Sequence, residues 1–344
     1  MTGAMLLRPG LRVLARGHDE VQIGLDPRWA VRLVGLGPAL VRLWESVDDE
    51  TDLACLAARA SAAGTDPDAV SATVGALHAA GLTRPAPRRD TVVRGPTAAD
   101  ATAWGLLSDD RPGDDVVGAR ADAVVGVVGL GPTGLGVARH LAVAGVGCLL
   151  LDDDAPVRSP DVAAAAHRWA DMGVPRALAA ARLLREAAPG TRIGSGETPD
   201  VVVVVEHEVA DPVRALVLVA DEVPHLSVVV RAADATVGPL VRPGTDACLR
   251  CLDLHRTDVD PAWPAVRRAA GARPDAGEVG VLAGACASLA AAQVLTLLAG
   301  ATPRLCGATV ELALPDLVAS ERRWQPHVGC GCLVPPTGTG PCEV

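Results

Sequence analysis

Residues 123–152 constrain the fold of this chain more than any others. Ala123–Val128 is an apolar run with no polar side chain, as a parallel strand buried on both faces requires. It leads directly into Gly129-Leu130-Gly131-Pro132-Thr133-Gly134, and a helical pattern follows from Leu135 to Ala144, ended by Gly145. A second apolar run, Cys148–Leu151, then closes on Asp152-Asp153-Asp154. Strand, glycine turn, helix, strand and acid, in that order, predict a dinucleotide-style α/β domain. In such a turn Gly129, Gly131 and Gly134 let the backbone approach a phosphate at a helix N-terminus, and Asp152 meets ribose hydroxyls. Glycines in this pattern also serve only to pack a helix on a strand, in a pocket without a nucleotide. Asp153 and Asp154 are expected to be solvated or to cap a helix.

The cysteines supply the second constraint. Four of the nine fall in two close pairs, Cys248-Leu-Arg-Cys251 and Cys330-Gly-Cys332, about eighty residues apart. Two pairs of thiolates complete a closed tetrahedral site, so the expected metal is a structural zinc that clamps the C-terminal segment to the sheet. A redox CxxC is the competing reading. Cys55, Cys148 and Cys306 lie in apolar surroundings and are expected in the core, and Cys286, in the Ala-rich stretch Ala283–Leu298, is expected to pack there too.

Ahead of this domain, residues 1–86 read as a separate module. Short β-like stretches (Leu11–Leu14, Val21–Leu25, Ala30–Leu33) precede three helical patterns, Pro38–Ser46, Asp52–Ala62 and Asp66–Ala80. Asp66 and Pro67 form a helix start and Gly81 a stop. Strands followed by three small helices describe a winged-helix-like domain, whose exposed strand edge could add an extended peptide. Residues 87–121, rich in Pro, Asp, Arg and Gly, read as a linker with one helical piece near Ala98–Leu107. The α/β domain then occupies 122–344.

Charge and composition exclude several classes. A formal charge of −10 and the lack of any basic run argue against nucleic acid. Apolar runs are broken by Gly, Pro or charge before the roughly 18 residues a membrane span needs, and no signal-peptide pattern opens the chain. The expected location is cytoplasmic. All 31 basic residues are Arg, so no chemistry here can use a lysine amine.

With a glycine loop followed by CxxC and a distal CxC, residues 120 to 332 resemble the ThiF family, the bacterial relatives of ubiquitin-activating enzymes. Cys248-Leu-Arg-Cys-Leu-Asp-Leu-His-Arg-Thr-Asp258, Asp260-Pro-Ala-Trp-Pro264 and Trp324-Gln-Pro-His-Val-Gly-Cys-Gly-Cys332 are most similar to actinobacterial ThiF-like proteins grouped with the leader-peptide-binding components of cyclodehydratases. The resemblance implies an ATP and magnesium site, a structural zinc on Cys248, Cys251, Cys330 and Cys332, and a small peptide-recognition domain fused in front. It also implies adenylation of a carboxylate on a carrier protein or peptide. Three positions depart from the family. Arg176 stands where a lysine reaches the ATP phosphates, Val157-Arg-Ser-Pro-Asp161 replaces an Asn-Leu-x-Arg-Gln segment, and Glu206-His207 replaces an Asp-Asn pair. Arginine does not substitute for lysine where geometry is tight.

The expected function is therefore capture of a precursor or carrier peptide, as a homodimer that presents it to a partner modifying enzyme. An active ATP-dependent adenylyltransferase is the alternative, and a nicotinamide-dependent oxidoreductase ranks third.

Overall fold

A computed structural model describes residues 4–48, 50–86, 93, 95–108, 111–163, 166–272 and 277–333. The chain divides into two compact units, Met1–Gly118 and Ala119–Val344.

The first unit runs β1 (Met5–Leu7), β2 (Val13–Ala15), β3 (Glu20–Ile23), β4 (Val31–Val34), α1 (Pro38–Glu45), α2 (Leu56–Ala62), α3 (Pro67–Ala79), β5 (Thr83–Pro85), α4 (Ala98–Leu107) and α5 (Gly113–Gly118). Strands β2, β3 and β4 form an antiparallel sheet with β3 in the middle, and β1 pairs with β5. The local chemistry is legible at α3. The Asp66 carboxylate accepts the Asp68 N–H at 2.9 Å, Pro67 opens the first turn, and Gly81 beyond the last turn takes a φ of +70°. Alternate residues of β3, Val21 and Ile23, meet Trp44, Leu56, Val70 and Leu77 in one core. Of the linker expected at 87–121, residues 87–92, 94 and 109–110 lie outside the described residues; α4 and α5 fall within the rest.

The second unit contains β6 (Val124–Val128), α6 (Pro132–Val143), β7 (Cys148–Asp152), α7 (Arg176–Ala187), β8 (Arg192–Ile193), β9 (Val201–His207), α8 (Pro212–Ala220), β10 (His225–Val230), β11 (Asp234–Val241), α9 (Leu249–Val259), α10 (Trp263–Gly271), α11 (Gly280–Leu298), β12 (Ala308–Ala313) and β13 (Ala319–Arg323). They build one sheet of order β13-β12-β11-β10-β9-β6-β7-β8. From β10 to β8 the pairing is parallel, and β11, β12 and β13 extend it antiparallel. The strand order reverses between β6 and β9, the kind of position at which open α/β sheets bind ligands, outside the C-terminal ends of the strands. The glycine loop lies at that reversal.

Helices α6 and α11 pack together over one face of the sheet. Leu226, Val228 and Val230 of β10 point into this layer, and Ser227 and Val229 point to the other face. Among the described residues α11 alone is long and apolar enough to cross a membrane, which corrects the expectation that every apolar run is too short. Here Leu282, Cys286, Ala290 and Val294, at helical spacing, are buried in the core instead.

Leu141 on α6 is fully buried in that layer. Leu141→Ala should cost about 2–5 kcal/mol, read as a lowered denaturant midpoint at unchanged slope. A loss below about 1 kcal/mol would contradict the packing.

Candidate functional site

The glycine loop is held from several sides. Gly129 has a φ of +79°, and a Cβ there would collide with the Val205 carbonyl at the end of β9. A Cβ on Gly134 would collide with the Gly129 carbonyl. Both glycines are thus demanded by backbone packing, whatever the loop binds. Leu130 is fastened at both ends of its peptide unit. Its N–H donates to Asp153 at 2.7 Å, and its carbonyl accepts from His167 Nε2 at 2.7 Å. Asp152, the expected ribose acid, is exposed at the C-terminal end of β7 beside the loop. Its carbonyl accepts the Gly129 N–H at 3.0 Å.

Asp153 departs from its expected solvated or capping role. Its side chain is 10% exposed and, besides Leu130, it accepts from Arg176 at 3.3 Å. Arg176 opens α7 and is 7% exposed. Its guanidinium grips Asp161 two-pronged, Nε at 3.0 Å and Nη2 at 2.7 Å. Burial works against the Arg176 charge, but the bonds and charges of Asp161 and Asp153 outweigh it and raise the pKa above its ordinary value. Asp161 also accepts the Arg158 N–H at 2.7 Å. Arg176 and the Val157–Asp161 segment, two of the positions singled out in the sequence, are thus interlocked through Asp161.

Glu206 and His207 turn to different partners. Burial pushes the Glu206 carboxyl above its ordinary range, against the pull of Arg214 and the Asp211 N–H. His207 Nε2 lies 3.1 Å from Glu278, whose carboxylate also accepts the Thr133 N–H at 2.8 Å. His167 and Glu278 were missed from sequence, and Asp153 and Asp161 were named without these partners, because isolated polar residues carry no periodic signal.

The four cysteines converge. Cys248 opens α9 and Cys251 lies on its first turn, and their sulfurs and those of Cys330 and Cys332 all lie within 4.8 Å of one another. Sulfur separations are 3.9 Å for Cys248–Cys251, 3.5 Å for Cys248–Cys330 and 3.4 Å for Cys251–Cys332. Tetrahedral zinc with sulfur at about 2.3 Å has edges of about 3.8 Å, so the donor set fits. Burial pushes Cys248 up to about 12 and Cys330 and Cys332 up to about 11. It acts on Cys251 too, but hydrogen bonds at His327 and Cys332 hold that thiol below its ordinary value. A divalent cation is what would let all four ionise. By contrast, burial pushes Cys286 up to about 12 inside the core, whereas Cys55, expected in the core, is exposed.

Beside the cysteines an open cleft of about 1880 Å³ runs between α8, α9, α10 and the sheet. Ser227 Oγ on its floor is buried with no partner among the described residues. Arg256 lines the cleft over the rings of Trp263 and Trp324. His255 and Asp258 instead turn to the C-terminal segment, bonding Gln325 and His327.

Arg176→Met would strand the Asp161 charge in the interior and should lower stability by about 3–5 kcal/mol. Adding Asp161→Asn should recover part of that loss. Unchanged thermal or denaturant stability of the single variant would contradict the buried network.

No protein-family model matches the sequence, and no curated protein does. Solved structures are similar in fold. The microcin C7 biosynthetic enzyme MccB in complex with N-formylated MccA superposes with a TM-score of 0.71 at 13% identity, over 96% of this chain and 99% of that one. Escherichia coli MccB with ATP gives 0.71 at 13% identity over 95% and 99%. PaaA gives 0.71 at 15% identity over 92% and 98%. At these identities the likeness is one of fold: along nearly its whole length the chain has the architecture of MccB and PaaA, in keeping with the ThiF-type fold its glycine loop and cysteine pairs suggest.

Proposed function

We propose that this protein captures a precursor peptide and presents it to a separate modifying enzyme, acting as a ThiF-type carrier and not as an adenylating enzyme. Residues 1–86 are the winged-helix-like recognition module, 87–121 its linker and 122–344 the ThiF-like domain, with a structural zinc on Cys248, Cys251, Cys330 and Cys332. The observation that carries the reading is the state of Arg176. The residue in place of the family's phosphate-reaching lysine is buried and committed to Asp161 and Asp153. Adenyl transfer depends on charge aimed at the phosphates, and a guanidinium engaged this way is not aimed there.

Peptide capture is supported by the fold shared with MccB, which has been solved with MccA. Strands β2 and β4 are the outer strands of their sheet, so each offers an edge for an added peptide strand. Val213, Leu216 and Val217 on α8 are exposed and offer an apolar face for a second copy in a homodimer. The fold also belongs to MccB solved with ATP, which favours adenylation of a carrier as the second reading. The cysteine cluster and this fold leave the nicotinamide oxidoreductase without support of its own.

Two outcomes follow. Against synthetic peptides from short reading frames found next to the gene, the full chain should bind one, whereas a chain beginning at Ala119 should fold and not bind it, by fluorescence anisotropy. Equal binding by both would refute the recognition module. Purified protein should carry about one zinc per chain, and Cys251→Ser together with Cys330→Ser should remove it and lower stability markedly. Stoichiometric zinc in that double variant would refute the site.

A further inference from the structure

Glu278 belongs to no motif, yet its carboxylate sits at the glycine loop with 1% of its side chain exposed. One oxygen accepts both the backbone N–H and the hydroxyl of Thr133, in the first turn of α6. The other lies 3.1 Å from His207 Nε2 and 2.5 Å from where a Cβ on Gly131 would stand. First-turn N–H groups have no partner inside their own helix, and with the helix dipole they attract anions. This is the seat in which a glycine-loop fold holds phosphate. Here it already holds an anion, from a residue 145 positions along the chain. The neighbouring loop amide, Leu130 N–H, is likewise taken by Asp153. Gly131, the glycine expected to admit a phosphate, is in this structure the opening through which Glu278 approaches.

We infer that Glu278 is an internal occupant of the glycine-loop anion seat and the residue that decides what the seat accepts. A nucleotide phosphate enters only when Glu278 leaves. Two anions cannot share the Thr133 amide, and a buried carboxylate repels an incoming phosphate at short range. His207, bonded to the other oxygen, is a positioning residue that keeps the carboxylate over the loop. The inference rests on the ThiF-type reading of this domain but is independent of peptide capture.

The test uses the full-length protein and calorimetry with ATP. Glu278→Ala should bind ATP at least tenfold more tightly than wild type, and Glu278→Gln, which keeps the volume and removes the charge, should fall between them. In hydrogen exchange the Thr133 amide should be protected in wild type and exposed in Glu278→Ala. Should the alanine variant not fold, an ATP affinity of Glu278→Gln at least threefold above wild type supports the inference, and one equal to wild type overturns it. Equal ATP affinity of wild type and folded Glu278→Ala, including no binding by either, also overturns it. Peptide binding on the same samples separates the two claims. If wild type does not bind peptide while Glu278→Ala gains ATP, the carrier function falls and the role of Glu278 stands.

Discussion

The second unit depends on one buried guanidinium. Arg176 sits at the N-terminal end of α7, where the helix dipole disfavours a cation, and is held there by Asp161 and Asp153. Asp153 passes the constraint on to the glycine loop through Leu130, and His167 fixes the same residue from the carbonyl side. The loop's shape is therefore set by protein groups before any ligand arrives. A loop so held is part of the scaffold, and the Arg176 charge is spent on two carboxylates inside the fold.

The C-terminal segment is held in the same spirit by the cysteines. Cys330 and Cys332 close on Cys248 and Cys251 at the start of α9, His255 bonds the Gln325 carbonyl, and the Trp324 indole donates to Thr309 of β12 at 3.0 Å. A residue pair far along the chain thus ties a segment without regular structure to the antiparallel edge of the sheet. A metal held by these four sulfurs would couple its binding to the ordering of this segment.

How much of this could be read from sequence varied with the kind of signal. The run from Ala123 to Asp152 was legible because strand, glycine turn and helix each impose a local pattern, and β6, α6 and β7 stand where that pattern puts them. The cysteine cluster was legible from spacing alone. Strands β1 and β5 were not, being three residues each and paired across nearly the whole of the first unit's core. The length of α11 was underestimated, because a glycine taken to break an apolar run, Gly284, is carried through by the helix. The polar network was hidden for a deeper reason. Asp153, Asp161, Arg176, His207 and Glu278 come from five places in the chain, and only the fold brings them together.

The proposed function requires a glycine loop that takes no part in adenylation. Isotope exchange between ATP and pyrophosphate, measured with the wild-type chain and any peptide that it binds in the anisotropy assay, tests this most directly, because a working adenylating enzyme reverses its own first step. A peptide carrier gives no exchange above that of the peptide and ATP alone. Peptide-dependent exchange would show that the loop still serves catalysis and would contradict the claim.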